Sequence, residues 1–255
     1  MMKSVNNMKF FIITKKQIML AISLVLALAV AVTSSALSFA GENKKLPIYC
    51  VDCPKKQIAI SFDAAWGNDD TSTLIKILKE YNVPATFFVV GAWVDKYPEW
   101  VKELSDAGHQ VQNHSNTHPY MTQLSKQQMC DEITSCNQKI EAITGKAPTL
   151  FRPPYGDYDN CVVEAVESLN MHAIQWSVDS LDWKDTATAN SICERVTSRV
   201  QNGSIVLFHN DADHTPEALP TMTLTVNALA PHTAEAMQIA RAVSRVVFFF
   251  MCLDS

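Results

Sequence analysis

Two histidines with three residues between them, His114-Ser-Asn-Thr-His118, could set two imidazoles on one side of a helical turn, close enough to share a metal ion at about 2.1 Å. The same spacing suits two loop histidines that bind nothing, so the pair acquires meaning only from its company. Four other stretches supply that company. Asp63 closes the alternating run Gln57-Ile-Ala-Ile-Ser-Phe62. Arg152-Pro-Pro-Tyr-Gly-Asp157 is a turn stiffened by two prolines, with Gly156 permitting unusual backbone. Asp179-Ser-Leu-Asp182-Trp183 offers carboxylates beside an aromatic, and Leu207-Phe-His209-Asn210 a further imidazole. Carboxylates, imidazoles and a guanidinium together are groups that can hold a metal or move protons.

Elements must bring these groups together. Short β-branched and aromatic runs at 57–62, 85–90, 109–113, 149–152, 171–178, 204–208 and 245–253 alternate with segments of helical periodicity, such as TSTLIKILKEYN and SKQQMCDEITSCNQKIEAITG. That alternation predicts a parallel α/β sheet of about seven strands, in which the active site gathers at the carboxyl ends of the strands. Asp63, His114, Arg152, the Asp179 to Asp182 stretch and His209 all fall at such ends.

The chain has 255 residues, 47% of them hydrophobic and 18% charged, enough for one large core. A formal net charge of −5 and scattered Lys and Arg leave no basic stripe, which argues against nucleic acid as a partner. The first forty residues differ from the rest: Lys3, Lys9, Lys15 and Lys16 precede the apolar run Ile18 to Val32, and small residues follow to Ala40. This is the pattern of an export signal, with cleavage expected after Ala40; residues 18–37 would alternatively serve as a membrane anchor, leaving the domain outside the cytoplasm. Residues 41–56 read as a linker, 57–220 as the catalytic domain and 221–255 as a divergent tail. All seven cysteines lie beyond the export segment, and Cys50-Val-Asp-Cys53 has no second pair at metal spacing.

In their order and on these strands, FDxxWG, HSNTH, RPPYG, DSLDW and LFH resemble the motifs of the polysaccharide deacetylases, carbohydrate esterase family four. SFDAAWG is similar to the branch found in spore-forming and related bacteria. The resemblance runs from about Gln57 to Pro220. It implies a distorted (β/α) barrel and a divalent metal, usually zinc, used to remove acetyl groups from N-acetylated amino sugars of peptidoglycan or a chitin-like polysaccharide. Carried over residue by residue, it implies Asp63 as general base, His114 and His118 as metal ligands, and the Tyr155 N–H as an oxyanion donor. It further implies His209 as general acid oriented by Asp182, Arg152 as the partner that keeps Asp63 ionised, and Trp183 and Leu207 as walls for the acetyl methyl.

One position departs from the family. Where a second aspartate would be the third metal ligand, this chain has Ala64. Asp69 and Asp70 lie just beyond it, after Gly67, and Asp70 is expected to reach back to the metal; the alternative is that Asp69, Asp70 and Thr71 cap the next helix. The missing ligand also keeps open a second function, a non-catalytic carbohydrate-binding protein on the same fold.

Overall fold

The computed structural model describes residues 14–16, 18–20, 22–26, 43–52 and 57–229. The chain divides into two compact units, Met1–Lys44 and Lys45–Ser255. In the first, the described residues from 15 to 26 are helical and exposed. Among the described residues no helix is long and apolar enough to cross a membrane. Most of the expected anchor at 18–37, the cleavage point after Ala40, the tail from residue 230 and the seventh expected strand at 245–253 lie outside the described residues.

Among the described residues the second unit is built on seven parallel strands: β1 (Ala59–Ala64), β2 (Thr86–Val89), β3 (Gln110–Asn113), β4 (Leu150–Phe151), β5 (His172–Ala173), β6 (Val178–Asp179) and β7 (Ile205–His209). Their order in the sheet is β5-β4-β3-β2-β1-β7-β6. The helices are α1 (Thr71–Glu80), α2 (Gly91–Lys96), α3 (Pro98–Asp106), α4 (Lys126–Thr144), α5 (Asn160–Ser168), α6 (Ala189–Thr197) and α7 (Thr215–Leu229), the last running through Pro220 and beyond the expected domain end.

The number of strands agrees with the sequence reading, but one of them arises differently. The expected strand at 171–178 is two strands, β5 and β6, on opposite edges of the sheet. That split dictates the curvature. The five steps from Ala173 to Val178 reach at most about 18 Å, whereas the edges of a flat seven-stranded sheet would stand about 29 Å apart. The sheet must curl into a half-barrel. The N-terminal segment straps the gap: Ile48 bridges Ile174, the Ile48 N–H donates to the Ala173 carbonyl, and Cys50 bridges Ser204.

Period-two alternation gives the sheet two different faces. On β1 and β7, Ile60, Phe62, Val206 and Phe208 belong to the main apolar cluster with the helices. Ala59 and Ile205 instead join Val51, Phe88 and Leu150 in a separate cluster. The same alternate positions continue to Ser61 and Asp63 on β1 and to Leu207 and His209 on β7, where the bore turns polar. Helix α1 shows why the covering layer holds: Leu74 and Leu78, four apart, are buried on one side, and truncating such a side chain to alanine costs about 2–5 kcal/mol. Helix α4 begins at a capping box, Ser125 with Gln128, and ends at Gly145 in the left-handed conformation (φ 69°).

Candidate active site

Asp63 is the hub of the mouth. It sits inside β1, not just after it, and pairs in register with His209 on β7. Arg152, fully buried, donates from Nη1 to Asp63 Oδ1 at 2.7 Å and from Nη2 to Ser61 Oγ at 2.9 Å and the Gln175 carbonyl at 3.3 Å. Its guanidinium carbon lies 4.1 Å from the centre of the Phe88 ring. Burial opposes ionisation of Asp63, but the charge and hydrogen bond of Arg152, with His209 nearby, outweigh it and hold the carboxyl below its ordinary value.

Across the mouth, His209 Nδ1 lies 2.8 Å from Asp182 Oδ1. A carboxylate only accepts, so Nδ1 carries the proton and Nε2 is left to the cleft. Asp182 is itself fixed, its Oδ2 accepting the His209 backbone N–H at 2.8 Å and the Thr215 hydroxyl at 2.7 Å. Burial works against a charge on His209, yet the hydrogen bond to Asp182 and the nearby carboxylates raise its pKa above 6.5. A cleft of about 280 Å³ opens beside it, lined by Trp66, Asp182, Trp183, His209, Asn210 and Asp211 among others. Trp183 is exposed there, whereas Leu207 is buried in the barrel wall.

The His114–His118 segment is not the helical turn expected from its spacing. His114 follows β3 and the next residues form an irregular loop, with Ser115 at φ 69° and His118 at φ 62°. Glu132 on α4 accepts the N–H groups of Asn116 and Thr117 at 2.9 and 2.8 Å, and the Ser115 hydroxyl accepts the His118 N–H at 2.9 Å. The loop therefore does what a helix would have done, and the two imidazole centroids stand 4.9 Å apart. His114 Nδ1 is 2.7 Å from the Arg152 carbonyl, to which it must donate, so its bare Nε2 faces Asp63 Oδ2 at 3.4 Å. Two acceptors that close call for something positive between them. His118 Nδ1 is also buried without a hydrogen-bond partner, and burial lowers the pKa of both rings, to about 4 for His118, which keeps them neutral. Neutral imidazoles with free lone pairs suit a divalent metal such as zinc.

The expected third ligand is elsewhere. Asp70 Oδ1 accepts the Asp211 N–H at 2.9 Å, and among the described residues no group of three His, Cys, Asp or Glu is placed to hold a metal ion. Nor does Asp70 act as a cap: it occupies the N-cap position of α1 without any side-chain cap bond. It ties the loop after β1 to the loop after β7, and burial, with the Asp211 charge alongside, pushes its carboxyl up to about 6. Close packing is what requires glycine at position 67, where a Cβ would lie 2.1 Å from Asp211 Oδ2. The Gly67 carbonyl accepts from Trp93 Nε1 at 2.8 Å and Asn210 Nδ2 at 2.5 Å, which closes the clasp. Ala64 is buried in the same apolar cluster as Phe62, Val89 and Val90.

Tyr155 stands in the left-handed region at φ 59°, unusual for a bulky residue. The Gly156 and Asp157 N–H groups, donating to the Pro153 and Pro154 carbonyls at 3.1 and 2.9 Å, hold the turn, and Gln175 Nε2 donates to the Gly156 carbonyl at 3.1 Å. Ser61, Gln175, Thr215 and Glu132 thus support the site without having stood out in the sequence. Ser61 was the most legible of them, two residues before Asp63 and so on the same face of the strand.

A family model described as polysaccharide deacetylase matches residues 51–174. Peptidoglycan-N-acetylglucosamine deacetylase PgdA of Listeria monocytogenes is 38% identical over 170 residues, covering 67% of this chain and 35% of PgdA. The structure of Bacillus subtilis PdaA, a family 4 carbohydrate esterase, superposes with a TM-score of 0.68 at 30% identity, covering 72% of this chain and 80% of that one. BA3943 of Bacillus anthracis, described as a family pseudoenzyme, matches with a TM-score of 0.69 at 35% identity over 72% of this chain and 65% of its own; a BA3943 mutant has restored enzymatic activity. The chain spans about half or less of the length of several curated relatives.

Proposed function

The chain belongs to the polysaccharide deacetylase family, carbohydrate esterase family 4, and from that membership we propose that it is an N-deacetylase of amino sugars in peptidoglycan or a chitin-like polysaccharide. The observation that carries this reading is the opposition of two finished pairs across one mouth, Asp63–Arg152 and His209–Asp182. One pair keeps a base ionised; the other keeps an acid charged.

The chemistry follows from those charges. Asp63, anionic beside Arg152, takes the proton of the attacking water. The amide carbonyl then becomes an oxyanion, for which the backbone N–H of Tyr155, in the left-handed turn, would be the donor. His209, protonated at Nδ1 and Nε2, gives its Nε2 proton to the departing amine while Asp182 holds the ring and stabilises its charge. The carbon–nitrogen bond breaks, and acetate and a free amino sugar leave. His114 and His118 would hold a divalent metal, most suitably zinc, which when bound supplies Lewis acidity toward the acetyl carbonyl. They are two protein ligands where catalytic zinc sites generally have three. Trp183 fits the role of a wall beside the acetyl group; Leu207 backs the barrel beneath His209.

Ala64 favours a second reading, a glycan-binding protein without turnover, since it leaves the metal short of a carboxylate. In either case the order of basic, apolar and small residues in the first forty supports a place outside the cytoplasmic membrane. The test is acetate release from purified peptidoglycan and from chitin oligomers, with bound zinc measured on the same sample. Release that depends on Asp63 and His209 establishes the enzyme; glycan binding without release establishes the second reading.

A further inference from the structure

A second groove opens on the other side of the loop that joins β6 to α6. Its volume is about 450 Å³, larger than the cleft at His209, and it runs from Ser180 and Leu181 along α6 to Ser198 and Arg199. The loop divides the two spaces: Asp182 and Trp183 line the cleft, Ser180 and Leu181 line the groove, and Lys184 lines both. Leu181 makes the dividing turn in the left-handed region at φ 58°, a costly conformation for a bulky side chain. It is pinned there, its N–H donating to Asp179 Oδ1 at 2.8 Å.

The charge of this groove runs against that of the chain. Lys184, Arg195 and Arg199 line it with a single carboxylate, Glu194, although the whole chain carries a formal charge of −5. Among the described residues none of these three cations is in an ion pair. Arginines near the C-terminus of a helix are ordinary, since they complement its dipole. What that does not explain is a lysine from the preceding loop facing the same space. Arg195 is also held in place, its Nε donating to the Asp179 carbonyl at 2.6 Å, while its remaining guanidinium N–H groups have no partner among the described residues.

The lining describes the ligand. Unpaired cations suit carboxylates or phosphates, and Glu194 decides between them: a chain of phosphodiesters would meet it at like charge, whereas a ligand that also carries an amine would pair with it. Leu181 and Ala187 add apolar surface for small side chains. Acidic groups, an amine and alanine methyls on one short chain are the chemistry of the peptide arm of peptidoglycan; a chitin-like chain is neutral and has no arm. Because Lys184 belongs to both spaces, one polymer can place a sugar in the cleft and its arm in the groove.

We propose that the groove between the β6–α6 loop and α6 binds the acidic peptide arm of a peptidoglycan strand, and so selects peptide-bearing peptidoglycan over chitin-like chains. The inference rests on the deacetylase reading for the sugar in the mouth, but it concerns recognition and not turnover. Lys184, Arg195 and Arg199 have no part in the proton transfers described above.

Calorimetric titration of the full chain tests it, with soluble peptidoglycan strands that keep their peptides, the same strands stripped of peptide by an amidase, and poly(glycerol phosphate). The parent should bind the peptide-bearing strands roughly tenfold more tightly than the stripped ones. Lys184→Gln and Arg199→Gln should each weaken binding of the peptide-bearing strands roughly three- to tenfold, and Arg199→Gln should leave binding of the stripped strands within about twofold. Arg199→Lys should keep most of the affinity, which separates a charge contact from a packing role. A parent that binds both kinds of strand equally, or glutamine variants that keep the full preference, overturns the inference. So does poly(glycerol phosphate) that binds as tightly as the peptide-bearing strands and is lost in the same variants. Acetate release by a parent without the preference upholds the enzyme and sinks the groove. Groove-dependent preference in a parent that releases no acetate supports the groove and sinks the deacetylase reading alone.

Discussion

Asp63 and His209 are register partners on the adjacent parallel strands β1 and β7, with their charges supplied from opposite sides by Arg152 and Asp182. The proposed base and acid are thus set by neighbouring strands. Replacing Asp63 with Asn, or His209 with Ala, should each lower turnover by roughly 10²–10⁴ with the far-UV circular dichroism unchanged, the usual effect of losing a positioned proton-transfer group. Folded variants with the parent's kcat would remove these roles.

Arg152 bears on stability as well as on the proposed chemistry. Because its guanidinium and the Asp63 carboxylate are both buried, Arg152→Met should strand a charge and cost about 3–5 kcal/mol in urea unfolding. Adding Asp63→Asn to that variant should recover much of the loss, since the stranded charge is then gone. Additive losses in the double variant would mean that the pair is not coupled.

The alkaline limb of the pH profile should belong to His209. Its folded pKa lies above 6.5, so the protonated acid persists through neutral pH and activity falls as pH rises through that raised value. Stability follows the same sign: the imidazolium–Asp182 contribution is fully present below pH 6.5 and is lost as pH climbs through the folded pKa. Asp182→Asn should move the limb of kcat/KM to lower pH. An alkaline limb that stays in place would assign it to another group.

Metal affinity separates the residues around the two histidines. With zinc titrated against a chelator, His114→Ala should abolish binding, whereas Asp70→Asn should leave it within about twofold, because the Asp70 carboxylate is engaged by the loop after β7. Ala64→Asp should tighten binding at least tenfold by supplying a third ligand, and should lower the unfolding midpoint of the metal-free protein, since it buries a carboxylate among Phe62, Val89 and Val90. Loss of zinc in Asp70→Asn would reinstate Asp70 as a ligand.

Asp70 has its own pH signature. With its folded pKa raised to about 6 from 3.8, the ionised form is disfavoured in the fold, so its penalty is complete above pH 6 and relieved as pH falls toward 3.8. Asp70→Asn should therefore raise the thermal midpoint at pH 7.5 relative to the parent, and the advantage should shrink by pH 4.5. A midpoint that falls at pH 7.5 would show that the bond to Asp211 outweighs the burial of charge.

What the sequence determined by itself is what short-range pattern can encode. Apolar runs of strand length alternating with helical periods specified a parallel sheet, and a parallel sheet gathers its strand ends, so Asp63, His114, Arg152, Asp182 and His209 could be placed at one mouth before any coordinates. Tertiary structure decided what depends on contacts between distant residues. The run at 171–178 reads as one strand because each half has the right composition; only the position of the two sheet edges, strapped by Ile48, breaks it into β5 and β6. The His114 pair reads as a helical turn by spacing alone, yet Glu132, fourteen residues beyond His118 on α4, fixes it as a loop. Asp70 lies near Ala64 in sequence, but its carboxylate is engaged by the Asp211 N–H, brought there by the pairing of β1 with β7 and invisible in any local window.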